Sequence, residues 1–309
     1  MGQRTAGVRR GRSPRDAAVY GRGIEVALAI DVGGTKLAAA LVTADGEVVA
    51  TARAPTPKGD DPDAVFGALL ALVDAVGGDG ETIVCGVGCG GPMTAGGEEV
   101  SPLNIPSWRD FPLRRRLAEA TGLAVHIDND AKALALGEGW RGAAHDHDNY
   151  IAMVVSTGVG GGIVLDGRLL DGAGGNAGHI GHVNVEPEGR ECSCGARGCL
   201  EAEASGPAIA ALTGRPAEEA SPDTVTRTGT LVGRAVASVA NLLDLPLAVV
   251  GGGVALGFGD PFFSAAQEEL SRRARLDFSA GARIVPLGLG ADGPVVGAAA
   301  VGWRALGRL

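Results

Sequence analysis

Asp31-Val-Gly-Gly-Thr-Lys36 follows a short apolar run, Glu25–Ile30, and Ser156-Thr-Gly-Val-Gly-Gly-Gly162 follows another, Tyr150–Val155. Beyond the first loop, the apolar runs Leu37–Thr43 and Glu47–Ala52 flank Asp45-Gly46, a hairpin signature. Beyond the second come Ile163–Leu165 and a matching Asp166-Gly167. Strand, glycine loop, strand, turn and strand thus occur twice. The repeat predicts a duplicated α/β domain, two lobes with one glycine hairpin each and a ligand cleft between them.

The rest of the chain fits that frame. Val65, Leu69, Leu70 and Val73 recur at helical spacing and predict a helix over 62–76. A strand over Ile83–Val87, a helix over Leu113–Ala120, a strand over Ala124–Ile127 and a helix over 130–140 follow. Further on, helices are expected over 229–243 and 262–275. A strand Leu247–Val250 runs into Gly251-Gly252-Gly253, and residues 294–306 form a last Ala-rich helix.

Composition narrows the function. The chain has 309 residues, of which 45% are apolar and 20% charged, which excludes disorder as the main state. Aromatics are 4% and glycines number 52, so the interior packs on Ala, Val and Leu with many tight turns. Asp and Glu outnumber Lys and Arg by 36 to 27, which argues against nucleic acid as a partner. Lys occurs only at 36, 58 and 132, against 24 Arg, which reads as a bias towards high-GC codons. No apolar run reaches the roughly 18 residues of a membrane span. Residues 1–24 carry six Arg and no apolar core of a signal sequence, so a disordered basic tail, or a start codon placed too early, is expected there. Three of the five cysteines cluster at 192, 194 and 199, a spacing for metal rather than disulfides, and a reduced cytoplasm is the working assumption.

Three loops share one logic, an apolar strand running into glycines: Asp31–Lys36, Ser156–Gly162 and Gly251–Gly253. Singly, each is an ordinary turn. Together they point to nucleotide phosphates held by backbone N–H groups, with Thr35, Ser156 and Thr157 adding hydroxyls. A Walker-type P-loop is excluded because no Gly-x4-Gly-Lys-Ser/Thr occurs, and the Rossmann pattern is poor because Gly158-x-Gly160 enters a strand-like run. In His126-Ile-Asp-Asn-Asp-Ala131 the acids either cap a helix, the commoner job, or supply Asp130 as a general base. Asn104 carries the same ambiguity. His182, Cys192, Cys194 and Cys199 read His-x9-Cys-x-Cys-x4-Cys, a closed tetrahedral set for structural zinc. His145-Asp-His-Asp148 reads as a solvated loop, and Cys85 and Cys89 as core thiols.

Taken together, Asp31–Lys36, His126–Ala131, Ser156–Gly162, Gly178-His-Ile-Gly-His182, Cys192–Glu201 and Val250–Gly253 resemble the ROK family of the sugar-kinase/actin/Hsp70 superfamily over about residues 25–305. The resemblance implies a two-lobed, duplicated ribonuclease-H-like (actin-like ATPase) fold with a zinc knuckle. Residues 25–131 plus a C-terminal helix, 294–309, would form one lobe, and 132–293 the other. It implies an ATP-dependent kinase acting on the C6 hydroxyl of a glucose-type hexose, with Mg²⁺. Asp130 would be the base, and Asn104, Asn129, Asp130, His179, His182 and Glu201 the sugar contacts. His182 would serve both zinc and sugar. Asp31 would position Mg²⁺, with Gly33, Gly34, Thr35, Lys36, Thr157 and Gly158 at the phosphates and Gly251, Gly252 and Gly253 near the adenosine. A homodimer is also implied, while the acidic balance and the lack of an apolar span lead to the expectation of no nucleic-acid or membrane partner.

One departure matters. The family usually has Glu-x-Gly-His where this chain has His179-Ile-Gly-His182. A carboxylate only accepts hydrogen bonds, whereas neutral His also donates. His179 therefore opens amino-sugar, N-acyl-sugar and cyclitol substrates beside glucose, including 3-amino-3-deoxyglucose. The reading from another class is a sugar-sensing transcriptional repressor. Against it stand the presence of Asp130 and the short stretch before the first strand, which lacks the apolar period of a helix-turn-helix.

Overall fold

The computed structural model describes residues 23–77 and 81–309. The basic tail expected over 1–24 lies outside them, apart from Gly23 and Ile24. The chain divides into two compact units, one of residues 23–133 with Ala291–Leu309, the other Leu134–Gly290.

The first unit opens with β1 (Val26–Val32), β2 (Lys36–Thr43) and β3 (Val48–Pro55), an antiparallel meander. Then come α1 (Pro62–Val76), β4 (Thr82–Cys89), α2 (Leu113–Thr121), β5 (Val125–Asn129) and the start of α3 (Asp130–Arg141). The strand order is β3-β2-β1-β4-β5, with β4 and β5 parallel to β1. Strand alternation sorts the two faces. Leu28, Ile30, Cys85 and Val87 join Leu69 of α1 and Leu117 of α2 in one core. The alternate positions are small: Ala27, Ala29, Gly86 and Gly88. Against them lies α9 (Gly293–Ala305), and a Cβ on Gly86 would sit 2.0 Å from the Ala298 carbonyl oxygen. Asp31 and Gly88 alternate onto this small-residue face, beyond the aliphatic positions.

The second unit repeats the plan. β6 (Tyr150–Val155), β7 (Val159–Leu165) and β8 (Arg168–Leu169) form the meander, and Asp166 and Gly167 make its turn with φ of 50° and 71°. After α4 (Leu200–Ala204), α5 (Gly206–Thr213) and α6 (Pro222–Leu243) come β9 (Leu247–Gly251), α7 (Gly253–Phe258), α8 (Asp260–Arg273) and β10 (Arg283–Pro286). The order β8-β7-β6-β9-β10 reproduces that of the first sheet, strand for strand. Small residues let α6 and α8 pack closely: a Cβ on Gly233 would lie 2.2 Å from the Ala266 carbonyl oxygen.

Three expectations shift. β7 begins at Val159, so Gly160–Gly162 belong to a strand and the loop shrinks to 156–158. A Cβ on Gly161 would meet the Gly178 carbonyl oxygen and the Ile180 side chain, both at 3.1 Å; glycine there admits the overlying 178–180 segment. α6 begins at Pro222 rather than 229, capped by the Ser221 hydroxyl on the Thr224 N–H. Gly251 is a buried strand residue, where a Cβ would collide with Leu287.

Candidate active site

In the first unit the glycine loop between β1 and β2 is held from behind. The Thr56 hydroxyl donates to the Gly33 carbonyl at 2.6 Å, and the Thr56 N–H to that of Thr35 at 3.1 Å. Lys58 Nζ donates to the Gly34 carbonyl at 2.8 Å. These three contacts occupy the loop's acceptors. Gly34 lies against Asn104, whose Cβ would be 2.3 Å from a Cβ at 34, so any side chain there displaces Asn104.

Asn129 and Asp130 mark the switch from β5 to α3. Asn129 Oδ1 accepts from the Ala131 N–H at 3.0 Å, and Asp130 Oδ1 accepts from the same N–H at 2.8 Å. The capping role is thus shared by two side chains, while Asp130 is exposed. Gly88-Cys-Gly-Gly91, absent from the sequence reading of the site, completes it. A Cβ on Gly88 would lie 3.6 Å from Asp130 Cα and 3.9 Å from Asp31 Oδ1, and one on Gly91 would lie 3.6 Å from Asn129 Nδ2. The four-residue stretch following an apolar strand was the available signal.

Burial first, and then the charge on Asp130, push the Asp31 carboxyl up from 3.8 to about 7, against partial offsets from Lys36 and Arg53. Burial also holds the Cys89 thiol well above its ordinary value, with Asp130 and Asp31 adding to the effect. Two carboxylates beside Gly88, one of them with a raised pKa, are a setting for a divalent cation.

The second unit holds the remaining residues in two groups. Glu201 Oε2 accepts from the Val159 N–H at 2.8 Å, and a Cβ on Gly158 would be 2.9 Å from that oxygen. Glycine at 158 therefore lets the Thr157–Gly158 turn rest on the Glu201 carboxylate. A cavity of about 570 Å³ opens beside Ser156 and Thr157, bounded by Pro207, Gly253, Val254 and Phe258. Gly253 lines it; Gly252 makes the turn at φ 93°, where a Cβ would strike the Val155 backbone. A cavity of this size accommodates a nucleoside.

His182 closes a 3-10 turn, Ile180–His182, with Nδ1 3.7 Å from Cys192 Sγ, and Cys194 Sγ is 3.7 Å from Cys199 Sγ. All four donor atoms lie within 4.8 Å of one another. A tetrahedral zinc with Zn–S near 2.3 Å sets its ligand atoms about 3.7 Å apart, so the donor set and spacing fit that ion. The backbone builds the knuckle: Cys192 N–H donates to the Ala196 carbonyl at 2.8 Å, and Gly198, at φ 68°, has no room for a Cβ beside the Glu186 carbonyl. The His179 ring lies 6.0 Å from that of His182, at 27° to it. Cys85 and Cys89 are buried in the first core. Among the described residues no helix is long and apolar enough to cross a membrane.

Two five-stranded sheets of identical order, each with a glycine hairpin, define an actin-like ATPase type of α/β fold. The ROK family matches residues 27–304, and the chain belongs to that family. It is 38% identical over 250 residues to the N-acetylmannosamine kinase of Escherichia fergusonii, covering 75% of this chain and 84% of that protein. A ROK family glucokinase from Streptomyces griseus, solved with glucose and AMPPNP, superposes with a TM-score of 0.78 at 29% identity, covering 90% of this chain and 99% of that one. A ROK family transcriptional regulator, a homologue of the Escherichia coli MLC protein, also superposes with a TM-score of 0.78, at 27% identity, covering 92% of this chain and 78% of that one.

Proposed function

We propose that the chain is an ATP-dependent sugar kinase that phosphorylates the C6 hydroxyl of an N-acylhexosamine, with N-acetylmannosamine the first candidate. The observation that carries the kinase reading is the pair Asp31 and Asp130 around Gly88: an exposed carboxylate oriented at a strand–helix junction, beside a second with a strongly raised pKa. Asp130 accepts the proton of the attacking hydroxyl. As the bond from O6 to the γ-phosphorus forms, the bond to the β,γ-bridging oxygen breaks and ADP leaves. Asp31 holds Mg²⁺, which neutralises phosphate charge when bound. Gly33, Gly34, Thr35, Lys36, Thr157 and Gly158 serve the phosphates, and the cavity beside Gly253 takes the adenosine.

Asn104, Asn129, His179, His182 and Glu201 bind the sugar. His182, Cys192, Cys194 and Cys199 would hold a zinc ion, with His182 Nδ1 facing Cys192 and its Nε2 left for a sugar hydroxyl. The similarity to an N-acetylmannosamine kinase supports an N-acyl substrate, and so does His179, whose imidazole donates to an amide carbonyl where a Glu would repel it.

The test is ADP release from Mg-ATP with glucose, mannose, fructose, glucosamine, 3-amino-3-deoxyglucose, N-acetylglucosamine, N-acetylmannosamine and a C7 cyclitol. Turnover greatest with an N-acetylhexosamine supports the full reading. Turnover with glucose alone keeps the kinase and removes the role given to His179. The likeness to a transcriptional regulator favours one rival, a sugar sensor, which binds sugar without turnover.

A further inference from the structure

We propose that Lys132 is a positioning residue for the phosphoryl-transfer step, setting Asp130 through the Asp128 carboxylate. The inference rests on the kinase reading above. Lys132 stands in the first turn of α3, two residues after Asp130, and is 3% exposed. Buried ammonium groups are uncommon unless paired. Its Nζ lies 2.9 Å from Asp128 Oδ1, and the same oxygen accepts from the Asn129 N–H at 2.8 Å. Asn129 Oδ1 and Asp130 Oδ1 both accept from the Ala131 N–H. The buried cation thus holds the carboxylate that takes the Asn129 N–H, fixing the backbone of the residue directly before Asp130, whose side chain meets that of Asn129 on the Ala131 N–H.

Composition supplies a second, independent observation. Arg holds 24 of the 27 cationic positions, yet three sites keep Lys, and all three fall in the first unit at the candidate phosphoryl-transfer residues. Lys36 follows the glycine loop and lowers the Asp31 pKa, Lys58 binds the Gly34 carbonyl, and Lys132 meets Asp128. Lys is a compact point charge; Arg is a planar fork that needs several acceptors. Lys132 is flanked in the chain by the buried Ala131 and Ala133 and meets the Asp128 carboxylate, a setting that suits the compact ammonium.

Removing Lys132 alone leaves Asp128 unpaired and risks the fold, so the informative variant is Asp128→Asn/Lys132→Met, which removes both charges. Turnover is measured per mole of binding-competent protein, titrated with sugar by calorimetry, alongside the melting temperature. The expected result is a melting temperature close to wild type, a kcat at least tenfold lower, and KM values for ATP and sugar within threefold, since small displacements of a reacting group cost rate more than affinity. Lys132→Arg is expected to lower kcat in the same way. Wild-type kcat in either variant, counted per competent molecule, overturns the proposal and leaves the pair a structural one. An unvaried protein that binds sugar but forms no ADP contradicts the kinase reading, and this inference with it.

Discussion

Asp31 and Asp130 both lie beside the side-chain-free Gly88, and burial first, then the charge on Asp130, holds the Asp31 carboxyl at about 7. A divalent cation bound there would displace the Asp31 proton and offset the mutual repulsion of the two carboxylates.

That relationship sets a pH dependence. The folded chain keeps the Asp31 proton up to about pH 7, whereas the unfolded chain releases it near 3.8. Between those values the folded state binds more protons, so stability falls as pH rises, and the loss is complete above about pH 7. The contribution is on the order of 4 kcal/mol. Asp31→Asn is expected to raise the melting temperature at pH 8, flatten its dependence between pH 4 and 7, and abolish turnover. Chemical denaturation across that pH range measures it; an Asn variant less stable than wild type at pH 8 contradicts the burial account.

Asp130→Asn is expected to lower kcat by roughly 10²–10⁴-fold, the range for a general base, with sugar affinity and melting temperature nearly unchanged. Calorimetry and steady-state kinetics on the same preparation separate the two. Loss of the fold would return Asp130 to the capping role its bond to the Ala131 N–H also allows.

Zinc content by atomic emission is expected to be one per chain and to fall in Cys194→Ser. The same variant, or chelation, is expected to raise the sugar KM about tenfold or more while the ATP KM changes little. Equal losses for both substrates would mean that the ion holds the whole unit together instead.

His179→Glu tests the sugar preference. Replacing a donor by an acceptor-only side chain is expected to shift the kcat/KM ratio of glucose to N-acetylmannosamine by about tenfold or more towards glucose. An unchanged ratio would remove His179 from the specificity account.

Much of this was legible in the chain itself, for reasons that differ by element. The two meanders announce themselves through Asp45-Gly46 and Asp166-Gly167, turns in which Gly46, Asp166 and Gly167 adopt a left-handed backbone that most residues resist. The cluster of His182, Cys192, Cys194 and Cys199 was readable because the knuckle is local in sequence. β7 was misread at its start because Gly160–Gly162 look like a loop, and only the overlying 178–180 segment explains a glycine strand. The start of α6 hid behind a run of β-branched Thr and Val, although Ser221 and Pro222 carry the cap. α4, α5, α7 and β10 are too short for periodicity to show. Thr56, Lys58 and Gly88–Gly91 escaped notice because their role depends on tertiary contacts with a loop far off in sequence. Lys132 stood out in the sequence only as one of three lysines, and its burial beside Asp128 is what singles it out.

The central claim is that a phosphoryl group moves from ATP to the C6 oxygen of a sugar. The most direct test is phosphorus and carbon NMR of the product formed with Mg-ATP and N-acetylmannosamine. A phosphomonoester coupled to C6, formed by the wild-type protein and absent with Asp130→Asn, is the predicted result. No phosphorylated sugar from any member of the panel, despite measurable sugar binding, would contradict the account and leave a sensor in its place.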